Sequence, residues 1–332
     1  MIAPTAEYTV ARSGAALVER DDRVQLRAHG RDPVRMIQGL ITNDLEGATI
    51  GRAVYASLLT PKGRMIADLR AIRQPDGSVL LDLDAGALEG TLAHLKKMVP
   101  PLFARFETPA PPLRVLGVYG PAAASVLRDA LDVQVDDDEP EDRAVRGVAH
   151  GADFLLVATR EAGVSGFDVF VAAEDAAAVG AALRDAGARP ASAATLDVLR
   201  IEAGRPRWGA ELDADRIPLE AGLLERGIST TKGCYTGQEV IVRILHRGHV
   251  NWQLRGLLLG AAPAPARGTE LALDEGGKTV ARITSATASP ALGQTVALAY
   301  VRREIEPGTA LRMQDGTAAR VVALPFDTRE TT

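Results

Sequence analysis

Cysteine is almost absent: Cys234 is the only one in 332 residues. One thiol makes no intrachain disulfide and cannot alone supply the four thiolates that usually hold an iron–sulfur cluster. Aromatic residues are also scarce, at 4% of the chain, so the core has to be largely aliphatic. No broad basic face is available either. The 38 Lys+Arg against 43 Asp+Glu leave a formal charge of −5, which gives no electrostatic reason to bind nucleic acid or an anionic membrane over a wide surface. No apolar run approaches the roughly 18 residues that a membrane-spanning helix requires. The opening "MIAPTAEYTVARSG" lacks a basic region followed by an apolar core. A cytoplasmic location is therefore expected. What remains, 46% apolar and 24% charged residues, is the composition of ordinary globular domains. The length suggests two or three of them.

Organisation follows from periodicity and punctuation. In "GRDPVRMIQGL", Asp32 stands at an N-cap position with Pro33 at the first helical residue. "AVYASLLTPKGRMIADLRAIRQPDGSVLLDLD" reads as three strands separated by turns at Pro61-Lys62-Gly63 and Pro75-Asp76-Gly77. Leu88, Leu92, Leu95 and Val99 recur at helical spacing. Beyond a proline-rich crossing come a strand over Arg114–Tyr119, a helix over Pro121–Leu131, strands near 153–158 and 167–171, and helices over Glu174–Ala186 and Ser192–Glu202. The acidic run "DDDEPED" reads as a solvated surface turn. Strands and helices alternate without a strict β-α-β rhythm, which favours an α+β fold. From Trp252 the character changes to six short strands broken by Gly, Pro and Asp, the pattern of a small barrel or sandwich beginning near residue 249.

The lone cysteine lies in "STTKGCYTGQEVIVRILHRGH" (Ser229–His249). Thr236 precedes Glu239 by three residues, the spacing of a capping box, so a helix is expected from Gly237 to about Arg247, ending at Gly248. Glu239 and Arg243 have the spacing of a helical ion pair. Cys234 would then sit just ahead of a helix N-terminus with Lys232 two residues away, and both features favour thiolate over thiol. The alternative is a small cysteine buried beneath a glycine-rich turn. Cys234, His246 and His249 make only a weak metal-ligand pattern, without a second cysteine or supporting carboxylates, and no metal is expected. A Cys/His nucleophilic pair is also conceivable.

"KGCYTGQE" resembles the signature of YgfZ-type folate-binding proteins in the aminomethyltransferase (glycine-cleavage T-protein) superfamily. "QGLITNDL", "YASLLTPKGRMIADL", "GVSGFDVF", "RIEAGRPRWGAELD", "PLEAGL" and "ITSATASPALGQTVALAYV" resemble superfamily blocks in the same order, covering nearly the whole chain. The resemblance implies an α+β fold of three domains in a cloverleaf: a discontinuous folate-binding domain (1–52 plus 113–248), an inserted α+β domain (53–112) and a C-terminal six-stranded β-barrel (249–328). It also implies a tetrahydrofolate or one-carbon-folate ligand. Asp168 matches the acid that receives the pterin, Tyr55 an aromatic lining the pocket and Arg200 a basic residue near the glutamyl tail; Asp68 and Trp208 fall in the same pocket, Trp208 as a stacking face. Cys234 with Lys232 would be the reactive pair, and Gly233, Tyr235, Gly237, Gln238, Glu239 and Arg243 would hold the loop or touch a partner. The implied role is an accessory factor for iron–sulfur cluster assembly or repair, indirectly serving tRNA modification, with cluster-assembly or client proteins as partners. The alternatives are a folate-dependent aminomethyl or methyl transferase, or a non-catalytic interaction module. Aminomethyltransferases carry adjacent aspartates where this chain has Ala67-Asp68. The resemblance makes the first of that pair the acid of aminomethyl chemistry, so Ala67 argues against the transferase.

Overall fold

Alternating apolar residues are gathered into two sheets and a barrel in the computed structural model of the chain, which describes residues 5–274 and 277–326. Helix α1 (Ala6–Ser13) is capped by the Thr5 hydroxyl, which accepts from the Tyr8 N–H, and leads to β1 (Ala16–Glu19). β2 (Arg23–His29) and α2 (Pro33–Gln38) follow, with Asp32 at the cap position but making no side-chain cap bond. The three expected strands are β3 (Ala53–Leu59), β4 (Met65–Arg73) and β5 (Val79–Asp84). α3 (Leu88–Met98) and β6 (Arg105–Glu107) complete this part, and the antiparallel sheet runs β3-β4-β5-β2-β6.

The place of β2 moves a domain boundary. β2 pairs with β5 from Arg23 opposite Asp84 to Ala28 opposite Val79, and with β6 on its other side. Leu26 of β2 and Ile37 of α2 share one core with Leu58, Leu69, Leu83 and Leu95. β2 and α2 therefore share the core of the inserted unit's sheet, whereas residues 51–52 pair with 143–144 of the other sheet. β2 escapes a sequence reading because "RVQLRAH" carries two arginines and a histidine among few apolar residues.

The second sheet is built from β1, β7 (Leu113–Tyr119), β8 (Ala144–Ala149), β9 (Ala152–Thr159), β10 (Gly166–Ala172) and β11 (Arg189–Pro190), in the order β11-β1-β7-β10-β9-β8. α4 (Ala123–Leu131) and α5 (Ala176–Asp185) lay Leu127, Leu131, Val179 and Leu183 against Val118, Leu156 and Val169. The two sheets meet through Ala53, Ile72 and Leu80 of one and Val115, Val157 and Phe170 of the other. Each fully buried side chain of that size contributes roughly 1.5–3 kcal/mol over exposure, so this seam fixes the sheets relative to each other.

α6 (Ala193–Glu202), capped by Ser192, ties the first domain to the barrel. Beyond α7 (Leu224–Gly227) and α8 (Gln238–Arg247), the strands β12 (Trp252–Leu258), β13 (Glu270–Ala272), β14 (Ala281–Ser289), β15 (Gln294–Arg302), β16 (Ala310–Met313) and β17 (Ala318–Val322) close into a barrel in the order β12-β15-β14-β13-β16-β17. The six strands coincide with the six expected segments. No helix of the described residues is long and apolar enough to cross a membrane.

Candidate active site

Side chains on β3 and β4 alternate between two environments, and this alternation decides which acid faces the site. Ala67 is wholly buried in the core beneath the sheet, with Leu58 and Leu69. Asp68 turns the other way, where Tyr55 Oη donates to its Oδ2 at 3.1 Å. Its Oδ1 is buried and has no hydrogen-bond partner. Burial raises the Asp68 pKa above the ordinary carboxylate value, against the pull of Arg23, and burial with the neighbouring Asp68 pushes the Tyr55 phenol well above its usual range. The expectation drawn from Ala67 is thereby corrected: the acid missing from the pair would sit on the core face of β4, and the acid on the open face is present.

Asp68 and Tyr55 line a cleft of about 30 Å³ together with Arg20, Arg70, Glu161 and Trp208. A larger cavity of about 700 Å³ opens between the first domain and the barrel. Its wall carries Arg12, Arg160, Arg205 and Arg255 beside Leu254, Leu292 and Phe326. A third cavity, of about 310 Å³, lies on the far side of Tyr55. Arg226 lines all three. Its guanidinium stacks 3.9 Å from the centroid of the Tyr55 ring and pairs with Glu141 at 3.1 Å. The ring face attracts the cation, so the stack is a favourable partition between the spaces.

Beneath the cleft runs a buried ionic chain. Arg70 Nη2 lies 2.6 Å from both Asp82 and Asp168, Arg23 adds a second pair to Asp82, and Tyr119 donates to Asp168 at 2.6 Å. Arg20 donates to Tyr119 at 2.8 Å and pairs with Glu161 at 3.2 Å. Burial would raise Glu161, yet Arg20, Arg23 and Arg70 hold it at about 2. Asp82 is held well below the carboxylate range by Arg23 and Arg70, again against burial.

The expected site residues divide on this geometry. Tyr55, Asp68 and Trp208 line the cleft. Asp168 is fully buried under it, its oxygens engaged by Arg70 and Tyr119, so the structure gives it a supporting position and not an open acceptor. Arg200 is also turned inward: it bonds Glu211 at 2.7 Å, Asp197 at 2.8 Å and the Ser285 hydroxyl at 2.7 Å, riveting α6 to β14. The cavity arginines are others, missed because no spacing marks them. Arg70 left one signal, a charged residue inside the apolar strand pattern "MIADLRAI".

The cysteine motif is a seat for the β3–β4 turn. Lys232 is spent on the backbone: its Nζ donates to the carbonyls of Gln38, Ile41 and Asn43 at 2.6, 2.7 and 2.9 Å. Tyr235 is buried among Leu59, Met65 and Ile241, and the Thr236 N–H donates to the Gly39 carbonyl. Gly237 is the helix cap at φ +84, with no side-chain cap bond, so the expected capping box is not formed. A Cβ on Gly237 would come within 2.6 Å of the Thr60 carbonyl, which is why glycine stands there. Gly233 and Glu239 are exposed, Gln238 is half-buried, and Glu239 is not ion-paired with exposed Arg243. Cys234 is exposed, which overturns the buried reading, and it lines none of the cavities described above, which separates the expected reactive pair from them. Among the described residues no group of three or more His, Cys, Asp or Glu is placed to hold a metal, so Cys234, His246 and His249 form no such set.

An open-faced acid with its phenol partner, arginine-walled cavities beside it and a barrel closing the far side define a small-molecule-binding α+β protein of three units. The family described as GCVT N-terminal domain matches residues 3–232, and that described as glycine cleavage T-protein C-terminal barrel domain matches 253–327. The chain belongs to the glycine-cleavage T-protein family. It is 31% identical over 330 residues to an aminomethyltransferase of Saccharopolyspora erythraea, spanning 97% of this chain and 89% of that one. An aminomethyltransferase of Rubrobacter xylanophilus is 30% identical over 328 residues, spanning 98% and 86%. The crystal structure of glycine cleavage system aminomethyltransferase T from Bartonella henselae shares the fold, with a TM-score of 0.86 at 23% identity, covering 97% of this chain and 89% of that one.

Proposed function

We propose that the chain is a folate-dependent aminomethyl transferase of the T-protein type. The observation that carries this is the Asp68 carboxyl: buried, without a hydrogen-bond partner at Oδ1 among the described residues, and fixed at Oδ2 by Tyr55. A buried acid with one unpartnered oxygen at the floor of a cleft is placed to exchange a proton with the reacting nitrogen of a folate held there. Trp208 and Tyr55 offer flat faces beside it, and Arg160, Arg205 and Arg255 give the larger cavity the charge to receive a glutamyl tail. The cleft is too narrow for a pterin as it stands, so Arg205 and Arg226, which line both spaces, have to swing aside on entry. Reduced folate supplies, when bound, the nitrogen that takes up a one-carbon unit. The protein's part is to bind, orient and exchange a proton at Asp68 Oδ1, for which a carboxyl raised toward working pH is suited. Relatives of 30–31% identity that bear the name aminomethyltransferase support the same reading.

The test is a reduced-folate titration of wild type beside Asp68→Asn, paired with an assay for methylene-folate from glycine, sarcosine and aminomethyl donors. Saturable folate binding with turnover of at least one donor, lost in Asp68→Asn, is expected; absence of binding at high micromolar folate sinks the reading. A second reading, the YgfZ-type accessory role in iron–sulfur assembly, draws on one observation, the exposure of Cys234 where a partner protein can reach it. If Cys234→Ala abolishes support of cluster enzymes while leaving folate turnover intact, that second reading is the better one.

A further inference from the structure

Ser57 of β3 is wholly buried, and its hydroxyl has no hydrogen-bond partner among the described residues. A hydroxyl buried without a partner destabilises a fold, and alanine would fill the same place without that cost. The backbone shows what the side chain faces. The Ser57 N–H donates to Thr42 Oγ1 at 2.9 Å and its carbonyl accepts from the Thr42 N–H at 3.0 Å, so both groups point away from β4. Ser57 and its register partner Asp68 are therefore a non-hydrogen-bonded pair, the kind whose side chains stand closest, with Cβ atoms roughly 4.5–5.5 Å apart. Tyr55, two residues earlier on the same face, holds Asp68 Oδ2 from the diagonal position. The Tyr55 ring packs with Leu59, Met65 and Ile228, which offer a hydroxyl nothing to bond. Thr42 Oγ1 is already engaged, donating to the Gly227 carbonyl and accepting the Ser57 N–H.

An unbonded donor and an unbonded acceptor, Ser57 Oγ and Asp68 Oδ1, thus occupy directly opposed positions on one sheet face. A serine oxygen one bond beyond its Cβ and a carboxylate oxygen two bonds beyond the other span the gap by rotation about the Ser57 Cα–Cβ bond. We infer that Ser57 is a positioning residue for the Asp68 carboxyl, its hydroxyl donating to Oδ1 whenever that oxygen is without its proton. Ser57 does not itself line the cleft, so it acts through Asp68 and not on a ligand. In the reaction, where the inference rests on the transferase reading above, a proton passes from Asp68 Oδ1 to a nitrogen of the bound folate. The Ser57 O–H, unbroken throughout, then supplies the hydrogen that Oδ1 has given up, and it swings off when the proton returns. Tyr55 keeps the other oxygen fixed through both states.

Carbon-13 titration of the Asp68 carboxyl in the full chain, labelled at the aspartate Cγ and assigned by the signal lost in Asp68→Asn, tests the pair without turnover. Ser57→Ala should raise the titration midpoint by about one pH unit, the size of one hydrogen bond to a charged group. Ser57→Thr, which keeps the hydroxyl and suits a strand, should restore most of that shift. The charged groups facing Asp68 across the cleft are common to wild type and variants: Arg20, Arg23, Arg70, Arg205, Arg207 and Arg226 against Asp22, Asp84 and Glu161. A difference between the titrations therefore reports the hydroxyl. Stability gives a second readout. Burial holds the folded Asp68 above its ordinary value, so folding is weakened as pH rises through its titration, and losing the hydroxyl should steepen that fall. The urea midpoint of Ser57→Ala should lie closest to wild type in acid and drop below it toward pH 8. A hydroxyl without this role gives the opposite result: Asp68 titrates as in wild type, and the Ser57→Ala midpoint is unchanged or raised at every pH. That outcome overturns the inference. A shifted Asp68 titration in a protein that neither binds reduced folate nor turns over any donor would instead sink the transferase reading and leave the Ser57–Asp68 pair standing.

Discussion

At the scale of the residue, alternation on one strand settles what adjacent positions can do. Ala67 and Asp68 differ by one place in sequence and by a whole sheet face in space. Asp68→Asn keeps the bond to Tyr55 but removes the exchangeable proton, so turnover should fall by about 10²–10⁴-fold with little change in thermal midpoint. Asp68→Ala should lose folate affinity as well. Cys234 gives the opposite expectation: exposed and unbonded, it should accept Cys234→Ser with a stability change within about 0.5 kcal/mol by urea titration. A drop in turnover in that variant would return the sulfur to the mechanism. Glu7 shows how far a half-buried acid at the surface can matter. It accepts from the Ser192 hydroxyl and N–H and from Thr195, which hold its pKa at about 2.

At the scale of the element, the motif "KGCYTGQE" was legible as unusual composition but not as a fold device. What the sequence hid is direction: Lys232 reaches back to three carbonyls around residues 38–43, contacts that no spacing within the motif announces. The barrel and most helices could be read in advance because their periodicity is local. β2 and the partners of Arg200 could not, because a strand poor in apolar residues is recruited by a distant edge and an arginine is oriented by whatever surrounds it. The glycine at the helix cap offers a direct check. Gly237→Ala combines positive φ with a Cβ 2.6 Å from the Thr60 carbonyl, whereas Gly209→Ala, at φ +78, meets nothing within 4 Å. Both should destabilise, Gly209→Ala by about 1 kcal/mol and Gly237→Ala by about 2–3 kcal/mol or more, read as urea midpoints. Equal losses would mean that the turn gives way and that the motif does not seat it.

At the scale of the whole molecule, the two sheets are joined by apolar packing at Ile72 and Phe170 and by the ionic chain from Arg23 through Asp82, Arg70 and Asp168 to Tyr119 and Arg20. A chain of this kind stabilises only when complete, since removing one member leaves a buried charge uncompensated. Asp82→Asn should therefore cost about 3–5 kcal/mol. Glu161, at the cleft end, gives the pH dependence its sign. Its folded pKa of about 2 lies below the ordinary 4.5, so folding is favoured by its ionised form. That contribution is fully present above about pH 4.5 and is lost as pH falls toward 2. Glu161→Gln should lower the urea midpoint at pH 7 by an amount equivalent to no more than about 2–3 kcal/mol, because a quarter of the side chain is exposed. Between pH 5 and 3 the wild-type midpoint should fall more steeply than that of the variant, and the two curves should draw together with acid. Parallel curves across that range would show that Glu161 does not carry the link, and would leave Asp82 and Asp168 as the acids that bind the sheets beneath the site.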